Sequence, residues 1–594
     1  MIIAASQLFW ATTLLPGYAL LSLGRSRRLG LLAMMARAYV VSAALLVPVV
    51  ALAYFGALSI AATSAIYIAL VCASALVLLR RRARLRDFLQ GDPWWPVIAV
   101  VGLTLLAAQL GSMMHFDALV HIAKVRQAID VGFSFRDPFS PLDVAESRHM
   151  LAVHHALFSI GAWLTASEPH QFWHYSAWFH RLLVLGGIEA FVSAIYGRSR
   201  VAMTVVLGIS VFVLGMSSIN YPSVAAGYVI LPIVLADLVR VTQRPGGHRY
   251  LALATSSLVL GATHVAMWLM TVLCAGVAVG VSFVAAFGRG APPRVAKTSL
   301  ALLAGVPFLA LVASQPNHVA EQQGPLFLWM VRTIEVPVLG EQAILEPLHF
   351  LWFGVAGAAI GLVATMAPRQ RRRQLFLLSL LASVAAVMFL APVPGVLMHF
   401  VPHWVVRRAR YIAETIAIAG AAGGLFWLLL RQAQSRAAKA LLGVVSLLGS
   451  VALFGQGFMQ WYWSADGEKD LMRDLDRLEA VLEPLGDRRP MVAAEPALSL
   501  MLPAVRELSV MAPPLMHANP ADGELLQRYQ DLSLFLDPNM AENRRRELAA
   551  KHSIQWVLVR TANRGQTDID WMEFGELVVD RHGFRLYRLE KRLP

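Results

Sequence analysis

The sequence predicts a mainly α protein, in which a polytopic transmembrane helical bundle of about 11–14 spans is followed by a C-terminal extracytoplasmic α/β domain. Hydrophobic residues make up 57% of the 594 residues and charged residues only 15%, and the mean hydropathy is +0.59. Apolar runs of about 18 residues or more recur along the chain, as expected of membrane spans. After residue 462 the sequence becomes rich in charges. This change separates the membrane bundle from the tail.

Short basic clusters predict which loops face the cytoplasm, because Lys and Arg accumulate in short cytoplasmic loops. Seven such clusters interrupt the apolar runs, at 25–28, 80–86, 198–200, 240–249, 289–297, 369–373 and 431–439. Assigning all of them to the cytoplasm places every other loop outside. They also account for most of the net charge of +14, so a nucleic-acid partner is not predicted. Three segments then face the outside: 114–172, 315–347 and the tail from 463.

The apolar runs between these clusters are the candidate spans, at 5–23, 31–54, 58–79, 94–113, 173–197, 201–218, 224–242, 250–263, 265–287, 298–314, 348–367, 374–391, 409–430 and 440–462. The first run lacks a basic segment before it and a clear cleavage site, which indicates a retained span. The count stays open, because 250–287 is also compatible with one broken helix and 151–166 with a re-entrant segment. We divide the chain into N-terminal accessory transmembrane helices (1–93), a transmembrane core (94–462) and a tail domain (463–594).

The tail domain alternates two kinds of pattern. Residues 467–485 and 540–552 have helical patterns, whereas the short apolar runs "MVAAE" and "IQWVLVR" suit buried strands. At roughly 130 residues the domain is long enough to bury a core of its own. It contains no Gly-rich phosphate loop, CxxC pair or HExxH motif. The favoured interpretation is therefore a lid or docking module without chemistry of its own.

The stretch "MMHFDALVHIAKVRQAID" follows a predicted span directly, and Asp117 is its first charged residue. Four residues at helical spacing form an apolar face, Ala118, Ile122, Val125 and Ile129. A polar edge is formed by Asp117, His121 and Lys124. The pattern predicts an amphipathic helix over 117–131 that lies on the outer membrane interface.

Two roles are open for Asp117, a helix N-cap and a functional carboxylate. The loop that follows favours function, since "FSFRDPFSPLDVAESRHMLAVHHAL" is long and dense in Asp, Glu, Arg and His. Loops that only connect spans are usually short.

The stretch "HFVPHWVVRRARYIAE", residues 399–414, carries positive charge where a span begins on the outer side. This runs against the charge rule that the other loops obey. One interpretation is snorkelling of arginines to lipid phosphates. The favoured interpretation is an anion site, because guanidinium groups and helix N-terminal N–H groups both bind phosphate. Glu414 follows Arg410 by four residues, so the two are expected to form an intrahelical pair.

A carboxylate and an arginine cluster on the outer face suggest glycosyl transfer. Nucleotide sugars are absent outside the cell, so a transferase there uses a polyprenyl-phosphate donor. The departing phosphate is a weak base, and one carboxylate that deprotonates the acceptor hydroxyl is then enough. Arginines would stabilise the charge on the phosphate. The alternatives are a lipid-linked glycan flippase or transporter, and a glycan polymerase with a diphosphate-linked donor.

The layout resembles the GT-C class of membrane glycosyltransferases, which includes protein O-mannosyltransferases, the lipid A aminoarabinose transferase and the oligosaccharyltransferase catalytic subunit. "FDALVHIAKVRQAIDVG" resembles the "D-x-x-x-H/N…R…G" opening of the first outer loop in that class. The resemblance implies an inverting transferase with Asp117 as the catalytic base. Four predicted spans precede the loop (5–23, 31–54, 58–79 and 94–113), where simpler members have one. No DxD or Glu-Asp pair follows Asp117, so no metal ligand is assigned, although a divalent metal stays possible.

The candidate substrate-binding residues are His121, Lys124, Arg126, His399, His403, Arg407, Arg408, Arg410 and Glu414. The expected partners are a polyprenyl-phosphate-linked sugar, a glycan, lipid or protein acceptor, and membrane lipids. The expected location is a bacterial inner (plasma) membrane, with the active site and the tail domain on the periplasmic side.

Other polar residues are weaker candidates. His149, His154 and His155 are interpreted as loop histidines without metal, because a metal site would need a carboxylate and better spacing. His264 interrupts an apolar run and is interpreted as a satisfied interior histidine or a turn. Three residues of the 315–347 loop either touch the acceptor or are solvated: Glu321, Arg332 and Glu335.

Overall fold

The computed structural model describes residues 2–23, 29–81, 102, 116–142, 152–197, 199–216, 218–287, 291–314, 333–336, 340–343, 347–366, 371–390, 393, 396–397, 400–401, 403–433, 435, 437–438, 441–449, 451, 466–486, 489–514, 522–562 and 569–590. Structural statements below refer to these residues. The predicted span 94–113 lies outside them except for Gly102, and 440–462 is described only at 441–449 and 451.

The bundle is built from helices, as predicted. Before the tail domain the main helices are Ile2–Thr13, Leu15–Leu23, Leu31–Phe55, Ile60–Arg81, Phe116–Asp130, Val153–Leu164, Pro169–Tyr175, Ala177–Tyr196, Ser199–Leu214, Leu231–Gln243, Gly247–Thr263, Val265–Phe287, Pro292–Leu302, Val306–Ala313, Pro347–Met366, Arg371–Phe389, Arg410–Ile416 and Gly423–Gln432. A short antiparallel hairpin pairs Thr333–Val336 with Gly340–Ala343.

Among the described residues, eight helices are long and apolar enough to cross a membrane: Leu31–Phe55, Ile60–Arg81, Ala177–Tyr196, Pro222–Gln243, Val265–Val284, Pro292–Ala313, Arg371–Phe389 and Arg407–Gln432. Each coincides with a predicted span. The chain is therefore a multi-pass membrane protein with a mainly α bundle, and this part of the prediction is confirmed.

The segment 250–287 forms two helices, Gly247–Thr263 and Val265–Phe287, which meet at His264. The backbone at His264 is extended, with φ −159° and ψ 91°. Trp268 Nε1 donates to Ser257 Oγ at 3.0 Å, although these residues would be about 16 Å apart along a continuous helix. The two helices therefore fold back on each other as a hairpin with His264 at the turn.

Two spans contain a π-helical stretch, Ala225–Ile230 within one and Ala417–Ala422 within the other. Isolated π-helical turns within α-helices occur frequently at functional sites. At Gly227, in the first stretch, a β-carbon would lie only 2.4 Å from a ring carbon of Tyr411. Glycine is therefore required for the close approach of this span to the Tyr411 ring.

A buried ion pair joins spans that are distant in sequence. Arg37 donates to both carboxylate oxygens of Asp237, and the Nη1–Oδ2 distance is 2.5 Å. Arg240 Nη1 and Ser256 Oγ also donate to Asp237, each at 3.1 Å. Because removal of one partner from a buried pair costs about 3–5 kcal/mol, these residues fix how three helices pack.

The tail domain contains a five-stranded sheet, which confirms the predicted α/β character. Its order is Ser509–Val510, Met491–Ala493, Trp556–Arg560, Phe584–Leu589 and Gly575–Arg581. The first three strands are parallel and the last two pair antiparallel. Its main helices are Asp466–Leu482, Pro496–Val505, Leu525–Phe535 and Glu542–Lys551.

Successive residues of the central strand belong to different cores. Leu558 belongs to the same core as Leu475 and Leu478 of the first tail helix, whereas Val557 and Val559 belong to a second cluster with residues such as Leu532. Side chains alternate between the faces of a sheet, so apolar side chains cover the sheet on both faces.

The predicted helix at 117–131 is present as Phe116–Asp130, and we call it the juxtamembrane helix. Its predicted environment is wrong. Residues 118–125 are all buried, including His121 and Lys124 of the polar edge, and Gln127 is 2% exposed. The helix packs against Val153–Leu164 on one side and Pro496–Val505 of the tail domain on another. It is thus enclosed by protein instead of lying on the membrane surface.

Candidate functional site

Asp117 is in the first turn of the juxtamembrane helix and is exposed, unlike the residues that follow it. The charge of Asp117 acts on Arg408, so the two side chains lie within electrostatic reach of each other. The fold thus places the carboxylate of the predicted first outer loop within electrostatic reach of an arginine from a candidate span much later in the chain.

The arginine segment, 403–410, changes its helical geometry where the arginines lie. A short α-helix, His403–Val406, is followed by a 3₁₀ turn, Arg407–Ala409, and then by the α-helix Arg410–Ile416. Residues 403–409 pack against the helix Val265–Phe287. A 3₁₀ turn has three residues per turn, so Arg407 and Arg408 point in different directions. Arg407 is exposed and Arg408 is half-buried.

The predicted pair of Arg410 and Glu414 is present, with 3.9 Å between Nε and Oε1. The Tyr228 hydroxyl donates to the other oxygen of Glu414. The rings of Tyr228 and Tyr411 are 5.1 Å apart, and the Arg410 guanidinium lies 5.1 Å from the centre of the Tyr411 ring. Arg408 also forms a hydrogen bond with Tyr411. The tyrosines and Glu414 therefore orient two of the three arginines.

His121 follows Asp117 by one helical turn and contacts a second histidine. Its Nδ1 lies 3.1 Å from His155 Nε2, and its ring stacks at 5.8 Å on Trp173. The neighbouring His154 donates from Nε2 to the Asn220 carbonyl at 2.7 Å, and burial lowers the pKa of His154 to about 4. His154 is therefore neutral at physiological pH.

The interpretation of His154 and His155 as loop residues is wrong, because both are buried in the helix Val153–Leu164. His149 lies outside the described residues. Among the described residues, no three His, Cys, Asp or Glu side chains are grouped as metal ligands would be.

His264 is a residue whose importance the sequence did not reveal. It lies within electrostatic reach of both Arg408 and His121. The backbone N–H of Met267 donates to His264 Nδ1 at 3.3 Å, which leaves the proton on Nε2. His264 therefore terminates the hairpin and also presents a donor close to Arg408. The sequence signal was the histidine that interrupts an apolar run, but a turn explains that signal equally well.

Lys124 and Arg126 each bind groups of the segment that follows the juxtamembrane helix. Lys124 Nζ donates to the Arg136 carbonyl at 2.5 Å, which ties the helix to the loop that follows it. Arg126 pairs with Glu168 and lies 3.7 Å from Asp130. Because Arg126 is about two and a half turns from Asp117 along the helix, it is held at the opposite end from the carboxylate.

The tail domain binds the first outer loop through hydrogen bonds to the loop backbone. Arg489 Nη2 donates to the carbonyls of Asp137, Pro138 and Ser140 at 3.4, 3.3 and 3.1 Å. Its Nε lies 3.2 Å from Glu507, whose N–H in turn donates to Asp130 at 3.2 Å. The tail domain is thus fastened to the end of the juxtamembrane helix and to its loop.

Of the remaining predicted residues, only His403 and Glu335 are among the described residues. His399, Glu321 and Arg332 lie outside the described residues. His403 begins the short helix before the arginines. Glu335 lies in the hairpin strand Thr333–Val336, opposite Glu341.

No protein-family model matches the chain, and no curated protein is significantly similar to it. Solved structures that align with it include the oligosaccharyltransferase of Archaeoglobus fulgidus. The apo form aligns with a TM-score of 0.48 and 11% identity over 79% of this chain and 70% of that chain. The form tethered by a disulfide bond to an acceptor peptide containing the NVT sequon gives 0.46 and 13%, over 79% and 69%. The complex with Zn and sulfate gives 0.44 and 13%, over 78% and 68%. Each of these three TM-scores is below 0.5.

Proposed function

We propose that this chain is an integral membrane glycosyltransferase that moves a sugar from a polyprenyl-phosphate donor to an acceptor hydroxyl, with inversion at the anomeric carbon. The proposed site is on the extracytoplasmic face of a bacterial inner membrane, where the tail domain also lies. The acceptor is a glycan, a lipid or a protein. We assign no metal ligand.

The observation that supports this proposal is that Asp117 lies within electrostatic reach of Arg408. The two residues come from separate segments of the chain and lie at the beginnings of their helices. An exposed carboxylate can accept a proton, and a half-buried guanidinium can bind a phosphate. The proposed transfer requires both groups in one site.

The proposed reaction is a single displacement. The Asp117 carboxylate takes the proton of the acceptor hydroxyl, and the hydroxyl oxygen attacks the anomeric carbon. The bond between that carbon and the phosphate oxygen breaks, and its electron pair leaves with the lipid phosphate. Arg408 stabilises the charge on the departing phosphate, with Arg410 held beside it by Glu414 at 3.9 Å. Attack from the face opposite the phosphate inverts the configuration.

A flippase or transporter would use a phosphate site as well, and it is the main alternative. Transporters place ionisable residues near the middle of the membrane, whereas Asp117 and Arg408 lie at the beginnings of their helices. A polymerase with a diphosphate-linked donor is the second alternative, since an arginine cluster also fits a diphosphate.

One assay separates these possibilities. The purified protein is reconstituted in vesicles with a polyprenyl-phosphate sugar that carries a radiolabel in the sugar. The proposal predicts that label appears in a product and that free polyprenyl phosphate accumulates. Movement of intact donor between leaflets without cleavage would indicate a flippase. Turnover of only the diphosphate-linked donor would indicate the polymerase.

A further inference from the structure

A cavity of about 810 Å³ lies between the beginnings of the helices Gly247–Thr263 and Pro292–Leu302. It is far from the candidate site, because His264 lies at the other end of the first of these helices, about 25 Å away at 1.5 Å per residue. That length is close to the thickness of the hydrocarbon core of a bilayer. The cavity and the candidate site therefore lie near opposite faces of the membrane.

The polar groups of this cavity suit an anion. Arg294 and Lys297 line it one helical turn apart, and none of its described lining residues is acidic. The Tyr250 hydroxyl, on another lining residue, is buried and has no hydrogen-bond partner among the described residues. A buried hydroxyl without a partner is costly. The first helix also directs the positive end of its dipole toward the cavity.

The apolar groups of the cavity suit a hydrocarbon chain. Leu251 and Leu300 line it and are 69% and 73% exposed, one on each helix. Ala254 continues the apolar wall one turn deeper into the membrane on the first helix. A free phosphate ion would use only the polar groups, whereas a phospholipid would use both.

We propose that this cavity binds an anionic phospholipid, with its phosphate at Arg294, Lys297 and Tyr250 and its acyl chain along Leu251 and Leu300. The site is independent of the chemistry at the opposite face. The cavity lies between the first helix of the hairpin, Gly247–Thr263, and the helix that follows the hairpin, Pro292–Leu302. A bound lipid would therefore stabilise the packing of these two helices.

The test measures retention of lipid by the full-length protein. The purified protein is titrated in detergent with dioleoyl phosphatidylglycerol or dioleoyl phosphatidylcholine, and bound lipid is counted by native mass spectrometry. The variants are the double variant R294Q/K297Q, Y250F and L300N. The matched control is R371Q/R372Q, which removes two exposed arginines at the start of another span.

We expect wild-type protein to bind phosphatidylglycerol more tightly than phosphatidylcholine. A Lys or Arg near an anionic lipid contributes about 1 kcal/mol, so R294Q/K297Q should weaken this binding by about 30-fold. Y250F and L300N should each weaken it by a smaller factor, and the control by less than about twofold.

Equal binding of the two lipids would overturn the proposal, and so would an equal loss in the control variant. If soluble glycerol phosphate displaces the lipid at an equal concentration, the cavity binds only the headgroup. That result also contradicts the proposal, which includes the acyl chain. Thermal unfolding of each variant without added lipid shows whether a loss of binding reflects misfolding. If Y250F unfolds at the same temperature as wild type, its loss of binding reports on the site itself.

Discussion

Ser140 of the first outer loop donates a hydrogen bond of 2.7 Å to Asp522 of the tail domain, across 382 residues of sequence. Asp522 also pairs with Arg528, and the Asp522 and Arg528 side chains are only 2% and 3% exposed. Because the Asp522 carboxylate is buried and bound to both Ser140 and Arg528, it holds the loop in place. The tail domain is therefore part of the framework that holds the juxtamembrane helix.

We expect Arg489→Ala to separate the tail domain from the loop. The substitution removes three hydrogen bonds to loop carbonyls, which should lower the free energy of unfolding by about 1–3 kcal/mol. Thermal unfolding and limited proteolysis of the loop measure the effect. The control is Arg544→Ala, at an exposed arginine paired with Glu547. If the two variants behave alike, the carbonyl contacts do not fasten the loop.

We expect Asp117→Asn to reduce sugar transfer by roughly two orders of magnitude or more while donor binding is kept, because the amide cannot accept the proton. The measurement is kcat with the radiolabelled donor. If Asp117 only caps the helix, Asn should replace it with little loss, since Asn caps helices as well as Asp does. A nearly normal rate in this variant would remove Asp117 from the mechanism.

Among the arginines, Arg408 should dominate donor use. Arg408→Gln should raise the donor KM about tenfold or more, as expected for loss of a charge-assisted hydrogen bond. Arg408→Lys should rescue only part of this loss, because an ammonium cannot form a bidentate pair. Arg431→Gln, at the other end of the same candidate span, is the control. Equal KM values in all four proteins would make the segment a lipid anchor.

His264 should act with Arg408 on the donor. If its Nε2–H donates to the phosphate or the sugar, His264→Leu should raise the donor KM about tenfold with a smaller change in kcat. His264→Gln supplies a side-chain N–H and should recover part of the affinity. An unchanged KM with lowered thermal stability in both variants would limit His264 to its role at the hairpin turn.

The interface between the tail domain and the loop should weaken as pH rises through about 7. Burial and the neighbouring Glu168 carboxylate raise the pKa of Glu479 from 4.5 to about 7. Between these values the folded protein binds more protons than the unfolded chain, so its stability falls as pH increases.

Glu479→Gln should flatten this dependence and stabilise the protein at pH 8.5 by about 0.5 kcal/mol, a small value because the group is partly solvated. Chemical unfolding between pH 5.5 and 8.5 measures it, with the exposed Glu573→Gln as control. Identical pH slopes for wild type and Glu479→Gln would contradict the assignment.

Sequence patterns predicted the eight spans found among the described residues, because apolar length is a strong local signal. Two of the tail helices and two of its strands were predicted from local residue patterns, as at Trp556–Arg560. The pair of Arg410 and Glu414 followed from a spacing of four residues within a helix. These features depend on neighbours in the sequence.

Features that depend on distant residues were not predicted. The polar edge of the juxtamembrane helix appeared to be a surface, because nothing nearby indicates that the helix Pro496–Val505 packs against this helix. The pairing of Arg126 with Glu168 was not predicted, because Glu168 lies at the boundary of a later helix. The electrostatic reach between His264 and Arg408 follows from the hairpin, whose two helices are joined by the hydrogen bond from Trp268 to Ser257.

The enclosure of the juxtamembrane helix by the tail domain also sets an order of events during synthesis. The juxtamembrane helix is translated before most of the bundle. The helix Pro496–Val505, which covers it, is translated much later. At about 5–20 residues per second, the 382 residues between Ser140 and Asp522 take roughly 20–80 s. A nascent chain can insert its spans throughout this interval, but its outer loop acquires its final contacts only after translation of the tail. Ribosome stalling or a late stop codon would therefore leave a membrane-inserted protein whose juxtamembrane helix lacks the cover that Pro496–Val505 provides.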